Sequence, residues 1–210
     1  MKVLVACEYS GRVRQAFRDK GHEAWSCDLL PSEDNSEYHI QGWVDDLLKE
    51  PWDLVIAHPP CTYLSNSGVR WLYPQREGDM IENLRAQERW ENMRNAALFF
   101  VECLQANSDR VAVENPVMHG HGKKIIEECY NEDVFGKTSW FSVQPWQFGD
   151  NYKKRTCFTT RGLEPLKPTS NLNGSTAEPA VWKMGPSENR WKERSRTYEG
   201  VAKAMAEQWG

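Results

Sequence analysis

No apolar run in the chain approaches the roughly 20 residues that a membrane-spanning helix needs. Its opening residues, MKVLVACEYSGR, meet charge and polarity too early for a secretory signal. A cytoplasmic protein with no membrane partner is expected. Paired cysteines are lacking too: Cys7, Cys27, Cys61, Cys103, Cys129 and Cys157 stand far apart, without a C-x-x-C pair or a Cys/His cluster. Neither a disulfide framework nor a zinc site has the spacing to support it, and no metal is expected. There is no G-x-G-x-x-G after the first strand candidate, hence no obvious cradle for a pyrophosphate. Internal repeats and low-complexity tracts are absent as well.

A strong basic balance is the remaining absence. The net charge of −4 argues against a protein devoted to coating nucleic acid. The charge is unevenly spread, with 11 Lys and Arg against 7 Asp and Glu in residues 150–210, and 15 against 23 in residues 1–149. The C-terminal part could therefore face a phosphate backbone, although a solvated basic face would read the same way. With 210 residues, 40% of them hydrophobic and 27% charged, the composition is that of one globular domain covering residues 1–210.

The first third alternates strand and helix signals. Lys2 to Cys7 is a β-branched apolar run, Gly11 to Lys20 carries Val13, Ala16 and Phe17 at helical spacing, and Gly21 separates it from a second strand, Glu23 to Cys27. Asp53 to Ala57 reads as a third strand, Val111 to Val113 as a fourth, and Met80 to Gln105 as a long helix between them. Uninterrupted apolar strands alternating with helices require a parallel sheet covered on both faces, so a doubly wound α/β fold is expected. Ser139 to Val143 and Thr156 to Thr160 predict an antiparallel pair at one end of the sheet. Residues 162–190, rich in Pro, Ser, Asn and Gly, read as a loop-rich insertion, and a last helix runs from about Tyr198 to Trp209.

In such sheets ligands sit beyond the carboxyl ends of the strands. Four positions there are unusual. Cys7-Glu8-Tyr9-Ser10-Gly11 is a strand-to-helix turn with one glycine, and Asp28 closes the second strand some twenty residues later. An acid at that place can bind the hydroxyls of a ribose, or can simply serve as a turn or capping residue. A nucleoside cofactor without phosphate, such as S-adenosylmethionine, fits both features. The third position is His58-Pro59-Pro60-Cys61, where two prolines deliver a thiol on a stiff loop followed by polar TYLSNSG. The other five cysteines read as inert small hydrophobes. Glu114-Asn115-Pro116, directly after a strand, is the fourth, and its carboxyl could act as a proton donor to a heterocycle if burial raises its pKa. A hydrolase using His58 and Cys61 is disfavoured by the two prolines between them.

PPC after one strand, ENP after the next, an acid closing the second strand and NYKKR ahead of the final helix together resemble the ordered motifs of the DNA cytosine-5 methyltransferases. Within that family the chain resembles short phage-encoded cytosine methyltransferase-like proteins, through HPPCTYLSNSG, AVENP, KRTC and the RSRTY segment, nearly from end to end. The resemblance implies a Rossmann-like, S-adenosylmethionine-dependent fold in a host cytoplasm. It makes Cys61 the nucleophile that attacks C6 of cytosine, and Glu114 the contact to N3 and the exocyclic amine. Lys153 and Arg155, with Asn151, match a motif whose last arginine reaches the base. Cys7, Glu8, Tyr9, Ser10, Gly11, Asp28 and Pro59 would hold the cofactor. The DNA partner would present its base flipped out or single-stranded.

The chain departs from the family in places. Trp43 follows Gly42 where an aspartate is usual, leaving Asp45 or Asp46 as substitutes, and the family's Q-x-R-x-R motif reads N-x-K-x-R. The final helix lacks a Gly-Asn pair, and no large recognition domain precedes it, so recognition should be short or lax. Lys154, Lys183, Arg190, Lys192, Arg194 and Arg196 are expected to hold phosphates. His119 and His121 are expected to face solvent as polar side chains, and most of the ten tryptophans to anchor core or loops. The leading function is methyl transfer to C5 of cytosine in DNA. The alternatives are the same cysteine chemistry on RNA or a free pyrimidine nucleotide, and a catalytically weak DNA-binding relic.

Overall fold

The computed structural model describes residues 1–76, 78–179 and 190–210, and of Arg190 and Trp191 the backbone. In chain order its elements are β1 (Lys2–Ala6), α1 (Arg12–Asp19), β2 (Glu23–Asp28), β3 (His39–Gln41), β4 (Leu54–Ala57), α2 (Met80–Leu104), β5 (Val111–Pro116), α3 (Gly120–Cys129), α4 (Glu132–Phe135), β6 (Thr138–Val143), β7 (Thr156–Arg161), α5 (Arg190–Ser195) and α6 (Glu199–Gln208). One sheet of seven strands has the order β3-β2-β1-β4-β5-β7-β6. Its first five strands are parallel, and β7 joins β5 and β6 antiparallel.

The expected doubly wound α/β fold is present, because its strands are built as two-sided ones. Leu4 stands opposite Trp25 on one side and Val55 on the other, and β1 and β4 are buried almost throughout. One face of the sheet packs Val3, Val5 and Ile56 against Phe17 of α1 and Met205 of α6, with Trp209 just beyond that helix; the opposite face packs Leu4, Val55 and Ala57 against Met93 and Phe100 of α2. Each large side chain so buried contributes about 1.5–3 kcal/mol. Asp79 caps α2, accepting the N–H groups of Ile81 and Glu82 at 3.0 and 3.1 Å.

Several sequence expectations need correction. β3 was not expected: it is a three-residue strand held by β2, with His39 Nδ1 against Ser26 Oγ at 2.9 Å. The strand expected to end at Val113 runs to Pro116, because β7 pairs along its whole length. Glu114 therefore lies within β5 and not after it. Helices α3, α4 and α5 also occupy segments for which no helix was expected. Among the described residues, 162–179 form no helix or strand, only an isolated bridge between Tyr152 and Glu178. Among the described residues, no helix is long and apolar enough to cross a membrane, and no group of three or more His, Cys, Asp or Glu side chains is placed to hold a metal ion.

Candidate active site

The strand order reverses between β1 and β4, and the crevice at their carboxyl ends is where an open α/β sheet offers a ligand site. Two loops flank it. The first begins at Cys7, a non-glycine residue with φ 57°, and ends at Gly11, φ 69°, the cap of α1. A Cβ on Gly11 would stand 2.3 Å from the Arg14 guanidinium, so both the left-handed turn and the close approach require glycine.

The side chains of this loop are largely engaged within the protein. The Glu8 carboxylate, buried, accepts the N–H groups of Val13 at 2.7 Å and Arg14 at 3.2 Å, and so neutralises the amino end of α1. Ser10 Oγ donates to the same carboxylate at 3.3 Å. The side chains of Glu8 and Ser10, both expected to hold the cofactor, are thus engaged in building the turn. Tyr9 sends its hydroxyl to the Lys192 carbonyl at 2.8 Å and lies 3.2 Å from Ser195 Oγ. At this end Cys7 and Asp28 are half-buried, Asp45 is exposed, and Trp43 stands 77% exposed. Asp28 Oδ1 accepts the Leu30 N–H at 2.9 Å, a turn-forming bond that leaves Oδ2 for a donor. Burial first, then the charges of Asp28 and Asp45, push the Cys7 thiol up to about 12 and the Cys27 thiol to about 11. Both are inert at neutral pH.

The second loop carries Cys61. The His58 N–H continues the ladder to the Ala6 carbonyl at 2.9 Å, Pro59 is buried, and Pro60 is exposed. The Cys61 carbonyl then accepts the N–H groups of Leu64 and Ser65 at 3.1 and 3.0 Å. Asn66 N–H donates to the Val117 carbonyl at 2.8 Å and His119 N–H to the Leu64 carbonyl at 3.1 Å, which clamps this loop to the segment following Glu114. On its outer side Trp90 Nε1 of α2 donates to the Leu72 carbonyl at 2.7 Å. The thiol is half-buried; burial first and then the Glu114 charge raise it, Lys154 and Arg194 pull it down, and the net direction is up. Cys61 thus differs from Cys7, Cys27 and Cys103 in having cations among its neighbours.

Ala57 pairs with Val113, so the next residues, His58 and Glu114, fall side by side. His58 Nδ1 lies 3.2 Å from Glu114 Oε2, with the two side chains 7% and 16% exposed. The expectation that burial raises the Glu114 pKa is corrected here. Burial does push it up, but the His58 hydrogen bond and the charges of Lys154 and His58 outweigh that, and the net direction is down. Glu114 is an ionised acceptor at neutral pH. His58, being bonded to Glu114, makes no cysteine–histidine pair.

The basic residues sort differently from expectation. Lys153 turns outward, its N–H to the Glu178 carbonyl at 2.7 Å and its Nζ toward the Ser175 carbonyl at 3.5 Å, and the Asn151 carbonyl accepts the Glu178 N–H at 3.0 Å. These two residues anchor the 162–179 segment. Arg155 Nε donates to Ser142 Oγ at 3.3 Å on β6. Lys154, expected on phosphate, turns inward: it lines the small pocket beside His58 and Glu114 and donates from Nζ to the Arg194 carbonyl at 2.7 Å. Arg196 is also spent inside the protein, on Glu33. Lys192 lies half-buried and Arg194 is exposed; Lys183 and the Arg190 side chain lie outside the described residues. His119, expected at the surface, is buried and caps α3, its Nδ1 accepting the Gly122 N–H at 3.3 Å. His58 and Lys154 are the two site members whose roles were missed, and strand alternation through DLVIAH carried the signal for His58.

No protein-family model and no curated protein matches the chain. Among solved structures it is similar to one described as a DNA modification methyltransferase encoded within a prophage, from E. coli, with TM-score 0.51, 12% identity, and coverage of 88% of this chain and 55% of that one. It is also similar to the methyltransferase EhMeth of Entamoeba histolytica, with TM-score 0.46, 13% identity, and coverage of 89% and 60%. A third is DNMT2 of Spodoptera frugiperda, with TM-score 0.44, 12% identity, and coverage of 88% and 60%. The chain spans 55–60% of the length of these proteins. At this identity the likeness is one of fold: a mostly parallel, seven-stranded α/β sheet of the Rossmann-like methyltransferase kind.

Proposed function

We propose that this chain is an S-adenosylmethionine-dependent methyltransferase acting on C5 of cytosine in DNA, with Cys61 as nucleophile, and that residues 1–210 form a single catalytic domain. One observation carries the reading: a half-buried thiol on the loop after β4 and an ionised carboxylate on the adjacent strand β5 stand beside the switch point, and the charge of Lys154 acts on both.

The crevice between β1 and β4 suits this cofactor. Glu8 already occupies the amino end of α1, so a phosphate there would meet a carboxylate, whereas a cationic sulfonium nucleoside would not. Asp28 has an oxygen left for ribose hydroxyls, and Asp45 adds negative charge. Cys7, Tyr9, Gly11 and Pro59 would shape the wall. When bound, the cofactor supplies an electrophilic methyl group. Cys61 adds through Sγ to C6, which shifts the C5=C6 electron pair to C4=C5 and the C4=N3 pair onto N3, leaving C5 nucleophilic. Glu114 accepts the exocyclic amine and fixes the ring as charge moves through it. Lys154 steadies both the thiolate and Glu114. A water molecule then takes the C5 proton, the C5–H pair re-forms C5=C6, and the C6–S bond breaks with its pair on Cys61 Sγ. Arg155 and Arg194 are exposed cations available to a phosphate backbone, and a base from a duplex must be flipped to reach Cys61.

A second reading, the same chemistry on RNA or a free pyrimidine nucleotide, is favoured by the inward use of Lys154 and Arg196, two cations expected on phosphate. Labelled methyl transfer from S-adenosylmethionine to duplex DNA, single-stranded DNA, tRNA and deoxycytidine monophosphate decides between them. Label on DNA that is lost in Cys61→Ala supports the proposal. Label confined to RNA or nucleotide moves the assignment to the second reading, and no label with no cofactor binding leaves only a binding relic of the fold.

A further inference from the structure

His58 and Glu114 are more than neighbours at the rim. The His58 ring leaves the end of β4 on the face that Leu54 and Ile56 also line, and Nδ1 meets Glu114 Oε2 at 3.2 Å. Its Nε2 is buried without a hydrogen-bond partner among the described residues. A buried nitrogen left unpaired costs stability, so packing does not explain an imidazole here. The ring does have one consequence for the site: it occupies one carboxylate oxygen of Glu114 and leaves the other, Oε1, as an acceptor with no proton to give.

We propose that His58 is a positioning residue that fixes Glu114 as a one-oxygen acceptor, and thereby selects pyrimidines carrying an amine at C4 over those carrying a carbonyl there. The inference rests on the methyl transfer proposed above. An amine at C4 donates to Oε1 while C6 faces Sγ of Cys61. A 4-oxo pyrimidine sets oxygen against oxygen in that pose; its N3–H can reach Oε1 only from a shifted pose that draws C6 away from the sulfur. Without the His58 donor, burial raises Glu114, and a protonated carboxyl can donate to a carbonyl at C4. Among the described residues, the charged and titratable groups facing the pair are Lys154 from the segment before β7, Cys157 of β7, Cys61 from the loop after β4, and Tyr198 at the start of α6.

Two variants test this. His58→Asn keeps a donor near the Nδ1 position, and His58→Phe removes it. The carboxyl resonance of Glu114, assigned by its loss in Glu114→Gln, is followed by 13C NMR against pH, and methyl transfer is compared on oligonucleotides carrying cytosine or uracil at one site. The expected result for His58→Phe is a Glu114 titration moved to higher pH and a cytosine-over-uracil preference reduced at least ~10-fold. His58→Asn keeps both near the wild-type values. An unchanged titration and preference in His58→Phe, or a His58→Asn that behaves like His58→Phe, overturns the proposal. If wild-type protein labels no cytosine in any acceptor, the proposed function fails and this selectivity with it, while the titration still reads whether His58 governs Glu114.

Discussion

Arg196 and Glu33, 163 positions apart in sequence, are joined by two hydrogen bonds, Nε to Oε2 at 2.9 Å and Nη2 to Oε1 at 2.5 Å. Around this pair Arg12 Nη1 donates to the Thr197 carbonyl at 3.0 Å, and Tyr9 and Lys154 bind carbonyls of Lys192 and Arg194. The stretch from Lys192 to Thr197 is thus a strap running from the loop between β1 and α1 to Lys154 beside Glu114. Arg196 serves the strap, whereas Arg194 is exposed.

That division predicts unequal effects on nucleic-acid binding. Arg194→Glu should weaken DNA binding and flatten its dependence on salt, a phosphate contact being worth a slope of about 0.9. Arg196→Ala should leave the slope unchanged. Binding isotherms at several salt concentrations check this, and equal slopes for wild type and Arg194→Glu would remove Arg194 from the interface.

Beside the strap, Arg14 is fully buried and paired with Asp34, with Nη1 also donating to Ser26 Oγ at 2.8 Å. Asp34→Ala leaves a buried guanidinium without its counter-charge, at a cost of about 3 kcal/mol. Glu33→Ala breaks a partly exposed pair and should cost less than about 1 kcal/mol. Urea denaturation at neutral pH ranks the two variants.

The same carboxylates set a pH dependence. The Arg196 hydrogen bond holds Glu33 below its ordinary range, against the cost of burial; burial pushes Asp34 up, but its bonds from Ser32 and Arg14 prevail and the net direction is down. A carboxylate lowered on folding adds stability that is complete above its unfolded pKa and is lost as pH falls through the folded value. The stability gap between wild type and Asp34→Ala should therefore narrow on acidification below the usual aspartate range. A gap that is constant down to strong acid contradicts the pairing.

Alkylation of Cys61 reads the electrostatics of the thiol in the free protein. Glu114→Gln removes a charge that raises the thiol and should speed carboxymethylation severalfold; Lys154→Met removes one that lowers it and should slow the reaction. Exposed Cys129 is the internal reference, and its rate should not change. Equal Cys61 rates in all three proteins would separate the thiol from Glu114 and Lys154.

How much of this was legible in the sequence follows from which signals are local. LVIA and KVLVA are apolar without interruption, and that alone marks central strands of a parallel sheet. HIQ has no such pattern and becomes a strand only by pairing with β2. Helix α3 opens on GHGKK, whose two glycines hide it. Cys61 and Glu114 were legible because each follows a strongly apolar strand run, LVIA and VAV. Lys154 was not: which of the residues in NYKKR faces inward depends on how this segment approaches β7, and motif spacing pointed to Lys153 and Arg155 instead. The ionisation of Glu114 was equally hidden, since it depends on His58, a partner 56 positions away.

The central claim is that Cys61 forms a covalent bond to C6 of cytosine. An oligonucleotide carrying 5-fluorocytosine blocks the last step, because fluorine at C5 cannot leave as a proton and β-elimination stops. Incubated with the protein and S-adenosylmethionine, it should give a denaturant-resistant adduct that maps by mass spectrometry to Cys61 and is absent in Cys61→Ala. Methyl transfer to unmodified cytosine with no such adduct, or an adduct that persists in Cys61→Ala, would contradict it.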